Sequence, residues 1–332
     1  MEPRSPGFLH PGEVTLVASD SKPSALRSDL IFTPDQGFFS TLATHLVVAL
    51  VALVVIGGAT RVMQAGLACP DWPLCYGRWL PGGQMNLQVF LEWFHRLDAF
   101  VVGVALFVQA LASLLCRRVL PGWFPGVALI TLALVVLQAA LGALTVTRLL
   151  ASPLVTAHLG TALLLVAFVS AASQALTTRE PQGLSLLPRW WLPLSLTTLS
   201  LVMAQCVLGG SLASQWASER CLSSGEGCLW LWRHRQMVVP VVLLVISLAL
   251  SSLTLPKSQV RLRRLSMAAA TLVLAQVGLG TATLRLQLNV PLVTVGHQLL
   301  AALLVAVLAA ILGASLAAPK PLNRPKLELA HG

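Results

Sequence analysis

From Val119 to Thr147 the chain reads VLPGWFPGVALITLALVVLQAALGALTVT, and after one arginine it continues from Leu149 to Thr178 as LLASPLVTAHLGTALLLVAFVSAASQALTT. Neither stretch contains Lys, Arg, Asp or Glu. A hydrocarbon core about 30 Å thick is crossed by about 20 apolar residues in helical form, and both stretches exceed that length. Lipid offers no water to backbone amides, so a crossing segment must satisfy its own hydrogen bonds as a helix. Barrel strands need only about half the length. These two segments decide the fold class: helices that span a membrane.

Working outward on the same scale gives eight spans, at 40–60, 90–115, 124–147, 154–177, 190–213, 231–255, 265–284 and 292–317. The whole chain agrees. Of its 332 residues 56% are hydrophobic and 10% charged, against about a quarter charged in a soluble domain, and the mean hydropathy is +0.80. The net charge of +10 does not point to nucleic acid. The basic residues lie in short clusters between apolar runs and form no face that could follow a phosphate backbone. Fourteen Lys and Arg fall on the side of the termini and seven on the other, which puts both termini in the cytoplasm. Residues 1–37 are polar, contain prolines and carry five acids against three bases. Neither a secretory signal nor a mitochondrial presequence has that composition. A disordered cytoplasmic tail and a bacterial plasma membrane are the expectation, with a second cytoplasmic tail at 319–332.

The two halves repeat. Gln138-Ala-Ala-Leu-Gly142-Ala-Leu-Thr145 in span 3 matches Gln276-Val-Gly-Leu-Gly280-Thr-Ala-Thr283 in span 7, and Pro153-Leu-Val-Thr156 matches Pro291-Leu-Val-Thr294. Spans 1 and 5 share Gly57-Gly58 and Gly209-Gly210, while spans 2 and 6 share Trp93-Phe-His95-Arg96 and Trp232-Arg-His234-Arg235. Four spans separate equivalents, an even number, so the repeat runs parallel in the membrane. The expected architecture is an all-α membrane protein of two pseudo-symmetric four-helix bundles, residues 38–178 and 179–318. The glycines read as sites of close helix approach.

His95, His158, His234 and His297 each stand a few residues into an even-numbered span. Every even span enters from the outer face, so all four lie at similar depth. One imidazole per helix and two per bundle is the arrangement that bis-histidine ligation of haem iron requires. Zinc fits poorly, because no further ligand is duplicated with them. Arg61, Arg148, Arg235 and Arg285 lie near the same level and could pair with haem propionates. Snorkelling to lipid headgroups is the competing reading.

One element breaks the repeat. Span 2 reads Glu92-Trp-Phe-His95-Arg96 and span 6 reads Leu231-Trp-Arg-His234-Arg235, so Glu92 has no counterpart. Its spacing puts it on the face of His95, where a carboxyl in low dielectric suits proton transfer. An ion pair with Arg96 or Arg61 is the alternative. Cys69 and Cys75 lie in the loop after span 1, and Cys221 and Cys228 in the equivalent loop after span 5. Both loops face the oxidising side, so two disulfides stiffening a lid are expected over metal binding. A redox role for the first pair stays open.

With these residues in view the chain resembles the haem A synthases, eight-span membrane enzymes. The likeness covers residues 40–317 and rests on Glu92-Trp-Phe-His95-Arg96, Ala68-Cys69-Pro-Asp71-Trp-Pro-Leu-Cys75, the duplicated Gln-x-x-Leu-Gly-x-x-Thr and the single His of each even span. The resemblance implies oxidation of the C8 methyl of haem O to a formyl group, giving haem A. It implies His95 and His158 around the substrate haem O, His234 and His297 around a haem b cofactor, and Glu92 as the reacting acid. A haem O synthase is the implied functional partner. Electron acceptor and oxygen source are not implied. A dihaem b-type electron-transfer protein is the main rival, and it gives Glu92 no purpose. A transporter is the second, and polar residues at mid-membrane are too scarce for it.

Overall fold

Asp35 sets the start of the first helix: its carboxylate accepts from the Phe38 amide at 2.8 Å and so satisfies one of the free donors of the first turn. Asn86 does the same for the second, accepting from the Val89 amide at 2.9 Å. The computed structural model describes residues 35–177, 187–214, 221, 223 and 228–317. Among them, eight helices are long and apolar enough to cross a membrane. They are α1 Gln36–Val62, α2 Leu87–Leu115, α3 Phe124–Thr147, α4 Ser152–Thr177, α5 Trp191–Ser214, α6 Cys228–Ser252, α7 Val260–Arg285 and α8 Pro291–Leu316. Each overlaps one expected span. The expected tails and the boundary at 178/179 lie wholly or largely outside the described residues.

Three of the odd-numbered helices end in the same way. The amide of Ala65 returns to the Thr60 carbonyl, that of Leu150 to Thr145 and that of Leu288 to Thr283, at 2.7, 2.7 and 3.1 Å. This is the six-residue closure of a Schellman end. It requires left-handed backbone, taken here by Gln64, Leu149 and Gln287 (φ 55°, 49° and 51°) instead of glycine. The ends of α1 and α7 carry Arg61 and Arg285, and Arg148 is the C-cap of α3.

Helices α1–α4 neighbour one another in a ring, and α5–α8 do likewise. The rings meet where α4 lies against α8, flanked by α1 with α8 and α4 with α5. Exchanging every helix for the one four places later leaves this neighbour pattern unchanged. Packing at the seam follows from small side chains, since lipid tails remove the hydrophobic drive for helix association. Ala302, Ala306, Ala309 and Gly313 are small residues that α8 buries here, and Ala167 and the part-buried Ala171 those of α4, with Gly313 directly against the Ala171 backbone. Ser170 adds a hydrogen bond to the Ala306 carbonyl at 2.7 Å, and the Trp191 indole of α5 donates to Ser315 of α8 at 2.8 Å. Ala302 and Ala306 pack with the α1–α4 core while Ala167 packs with the α5–α8 core, so the rings interlock.

Candidate functional site

Each of the four even-span histidines rests its ring on a glycine of the preceding helix. A methyl group placed on Gly57, Gly209 or Gly280 would stand 2.8, 2.9 or 2.9 Å from Cε1 of His95, His234 or His297, and one on Gly142 would stand 3.4 Å from Cε1 of His158. The glycines of α1, α3, α5 and α7 are therefore vacated for imidazoles. The sequence reading gave them helix packing alone.

A glutamine four residues before the glycine completes three of these pairs. Gln138 donates to the His158 carbonyl at 2.9 Å and Gln205 to the His234 carbonyl at 2.8 Å. Gln276 lies 3.4 Å from Nε2 of His297, whose Nδ1 is 3.2 Å from the Gln276 carbonyl. Gln205 escaped the sequence reading. Its signal was present, because Gln205-Cys-Val-Leu-Gly209 repeats the pattern of Gln138 and Gln276 inside span 5. In α1 the matching position is Leu53.

His95 and His158 line one cavity of about 1520 Å³, bounded by α1–α4 with residues of α5 and Gln298 of α8 at its side, and lined toward one end by the loop 63–86. That volume exceeds the roughly 300–1,000 Å³ of ordinary small-molecule pockets. Its walls are mainly apolar, with Phe100 and Phe107 from α2 and Leu132 and Val136 from α3, and with Arg61, Arg78, Arg96, Trp72 and Trp79 toward the loop. The Nδ1 atoms of both histidines are buried without a hydrogen-bond partner. Two imidazoles from facing helices, within electrostatic reach of each other and opening on a large apolar space, fit a planar iron macrocycle held from two sides. His234 and His297 are also within reach of each other, and their rings have the same glycine clearance. This second pair fits the same kind of group.

Glu92 is 3% exposed and lines the cavity. Both its oxygens are engaged: one takes the Arg96 guanidinium at 2.5 Å, the other the Cys69 amide at 2.7 Å. The ion pair with Arg96, open as an alternative in the sequence, is made. Arg96 also donates to the carbonyls of Asp71, Leu74 and Cys69 at 2.6, 2.7 and 3.3 Å. One guanidinium fork thus fastens the loop to α2. The Trp93 indole donates to the Trp79 carbonyl at 2.6 Å. Within the loop Cys69 is bonded to Cys75. Asp71 accepts from the Tyr76 and Gly77 amides at 2.6 and 2.8 Å. The Gly77 amide foremost, then that of Tyr76 and the charge of Arg96, hold the Asp71 carboxyl below the usual carboxylate range despite some desolvation. Cys221 and Cys228 are bonded as well.

The arginines divide. Arg61 reaches the first cavity, whereas Arg148, Arg235 and Arg285 are exposed. Arg78 and Arg96 line the cavity and were not among the arginines proposed for propionates.

Residues 40–309 match the family described as cytochrome oxidase assembly protein, COX15-CtaA. A heme A synthase of Shewanella oneidensis is 29% identical over 190 residues, which are 51% of this chain and 55% of that protein. One from Bacillus pumilus is 38% identical over 98 residues, 28% of this chain and 31% of that protein. A protoheme IX farnesyltransferase of Haloarcula marismortui is 34% identical over 109 residues, 33% of this chain and 22% of that protein. The chain spans about half or less of the length of these curated relatives.

Proposed function

The chain belongs to the cytochrome oxidase assembly family COX15-CtaA, and from that premise we propose that it is a membrane oxidoreductase that converts haem O to haem A by oxidising the C8 methyl to a formyl group. The single observation that carries the reading is the first cavity, where two facing histidines and one buried acid share a large apolar space under a disulfide-stapled loop.

In this reading His95 and His158 would hold the iron of haem O and so set the height and tilt of the macrocycle, while contacts to its propionates and prenyl chain fix which edge meets Glu92. The propionates belong to guanidinium forks at the loop end, with Arg61 and Arg78 nearest and Arg148 as an outlying candidate. The prenyl chain takes the apolar wall of Phe100, Phe107, Leu132 and Val136. Trp72 and Trp79, in the loop that Arg96 clamps, keep bulk water from the reacting edge. Glu92 moves a proton at the carboxylate oxygen now held by the Cys69 amide, while Arg96 steadies the other oxygen. The methyl is hydroxylated twice, each round adding one oxygen atom at the oxidation level of water and giving up two electrons and two protons to an external electron acceptor and to bulk, and the resulting geminal diol loses water to leave the aldehyde.

His234 and His297 would hold haem b, with Arg235 and Arg285 as its propionate partners. That group supplies one-electron redox chemistry when bound. Residues 38–178 are the substrate half and 179–318 the cofactor half. A haem O synthase is the functional partner that supplies the substrate, in line with a relative named protoheme IX farnesyltransferase. Both termini face the cytoplasm of a bacterial plasma membrane, in line with the Lys and Arg distribution, which leaves the loop 63–86 outside.

The test is haem extraction and an optical spectrum on purified full chain, expressed with and without a haem O synthase. Haem b alone without the synthase, joined by haem O or haem A with it, is expected. Two tightly held haems b under both conditions would favour the dihaem electron-transfer protein. Replacing Glu92 by Gln is expected to leave both haems bound and abolish haem A. Normal haem A yield from Glu92→Gln would remove this acid from the chemistry.

A further inference from the structure

The residue that follows the histidine of α8 crosses the seam between the rings. Gln298 lodges its carboxamide against Gly58 of α1, and its Nε2 donates to the Val54 carbonyl at 3.1 Å. It also lines the cavity of His95 and His158, although it is chain neighbour to His297 of the other pair. The equivalent crossing runs the other way: Leu159, which follows His158 in α4, lodges against Gly210 of α5. Each Gly-Gly pair therefore has two tasks. Gly57 and Gly209 receive the histidine of their own helical hairpin, while Gly58 and Gly210 receive a residue from the opposite half. One crossing is a hydrogen-bonding amide and the other an aliphatic side chain.

The geometry explains why glycine stands at 58. The Val54 carbonyl already takes the amide four residues on, which is that of Gly58 itself. A second donor can approach that carbonyl only if nothing projects from position 58. A methyl group there would collide with the Gln298 carboxamide, so its absence opens the way. Inside a membrane such a bond is one of the few directional ties between helices.

We propose that Gln298 is a positioning residue that couples the two histidine pairs: from the helix bearing His297 it fixes the α1 segment Val54–Gly58, on which the His95 ring rests. This rests on the reading that both pairs hold haem. Coupling of this kind is reciprocal, so filling the second site strengthens retention in the first, and the converse holds. Leu159 carries no such bond, and the tie runs through the Gln298 crossing.

Two variants break it by different routes. Gln298→Leu gives this crossing the side chain that the opposite crossing already accommodates. Gly58→Ala leaves Gln298 in place and displaces its flexible end. Gly126→Ala in α3, where an added methyl meets nothing within 4 Å and which does not line the first cavity, is the control. The measurement is electron paramagnetic resonance and haem retention of the purified full chain, with and without a co-expressed haem O synthase. Both Gln298→Leu and Gly58→Ala are expected to shift the low-spin signal of the haem at His95 and His158 and to weaken its retention about 5-fold or more, the lower end of intersite coupling. The haem at His234 and His297 keeps its signal, its retention falling by the same factor wherever the first site is filled because the coupling is reciprocal, and Gly126→Ala leaves both sites unchanged. Emptying the second site with His297→Ala weakens retention in the first site of the otherwise unmodified protein, and adds nothing further in Gln298→Leu. Unchanged first-site signals in both variants, or equal shifts in Gly126→Ala, overturn the coupling. Absence of haem from the unmodified protein overturns instead the reading on which it rests.

Discussion

Alanine at each of the four histidine-facing glycines puts the ring geometry to a graded test. Ordinary van der Waals contact begins at 3.4 Å, and the added methyl would lie 2.8 Å from His95, 2.9 Å from His234, 2.9 Å from His297 and 3.4 Å from His158. The first three rings must therefore retreat by about 0.5 Å, which is the tolerance of a preorganised site; the fourth need not move. Overpacking of this size costs about 1–3 kcal/mol, equivalent to roughly 5- to 150-fold weaker haem retention. The helix itself works in the opposite direction, since Gly→Ala inside a helix gains about 0.5–1 kcal/mol. Loss of haem from a variant that stays folded can then be assigned to the ring and not to unfolding. The assay is the haem-to-protein ratio and the low-spin signal of each purified variant, with thermal stability measured alongside. Gly57→Ala is expected to impair the first site, Gly209→Ala and Gly280→Ala the second, and Gly142→Ala neither. Equal retention in all four, or greatest damage in Gly142→Ala, would refute the reasoning.

The seam between the rings and the loop offer two more tests. Gly313→Ala meets the Ala171 backbone rather than a flexible side chain, so α4 and α8 must part; the unfolding midpoint in detergent is expected to fall, and an unchanged midpoint would show that the seam can yield. Because the folded loop lowers the Asp71 pKa, its contribution is complete above the ordinary carboxylate range and is lost as pH falls through the lowered value. The hydrogen-exchange protection of the Tyr76 and Gly77 amides, taken relative to the intrinsic rate at each pH, should fall over that acid window, and Asp71→Asn should abolish the transition; its persistence would assign it to another group.

The eight helices were legible because charge-free length is a one-dimensional property, and lipid permits few alternatives. The four histidines were legible for a related reason: equal distance from a span end becomes equal depth once the spans alternate. What the sequence left open needed distances between helices. Gly57 and Gly58 are adjacent letters with the same null side chain, yet one faces an imidazole of its own hairpin and the other a carboxamide from the opposite half. Glu92 could be read as a free acid or as a partner of Arg96 until its oxygens were placed. The exposed positions of Arg148, Arg235 and Arg285, against the cavity positions of Arg78 and Arg96, depend on where the loop folds back. Sequence spacing does not carry that information.

The fastening of the four histidine-bearing segments bears on the division between substrate and cofactor. His158, His234 and His297 are each hydrogen-bonded, at the carbonyl or the ring, to a glutamine of the preceding helix. His95 has Leu53 at that position, and a leucine cannot supply the bond. Its helix is tied instead to the loop, through Glu92 to Cys69, Trp93 to Trp79 and Arg96 to three carbonyls. A resident cofactor and a passing substrate make opposite demands. The first is served by ligands locked between helices, and the second by at least one ligand whose support can open with a surface loop. Both ligands of the α5–α8 pair have the helix-to-helix tie, and the α1–α4 pair has it at one pole only. The pole without it also carries the added acid, and both poles share the large cavity. The asymmetry in Glu92 is therefore not isolated: under the proposed function, the missing glutamine in α1 and the loop clamp on α2 assign exchange and chemistry to the same histidine.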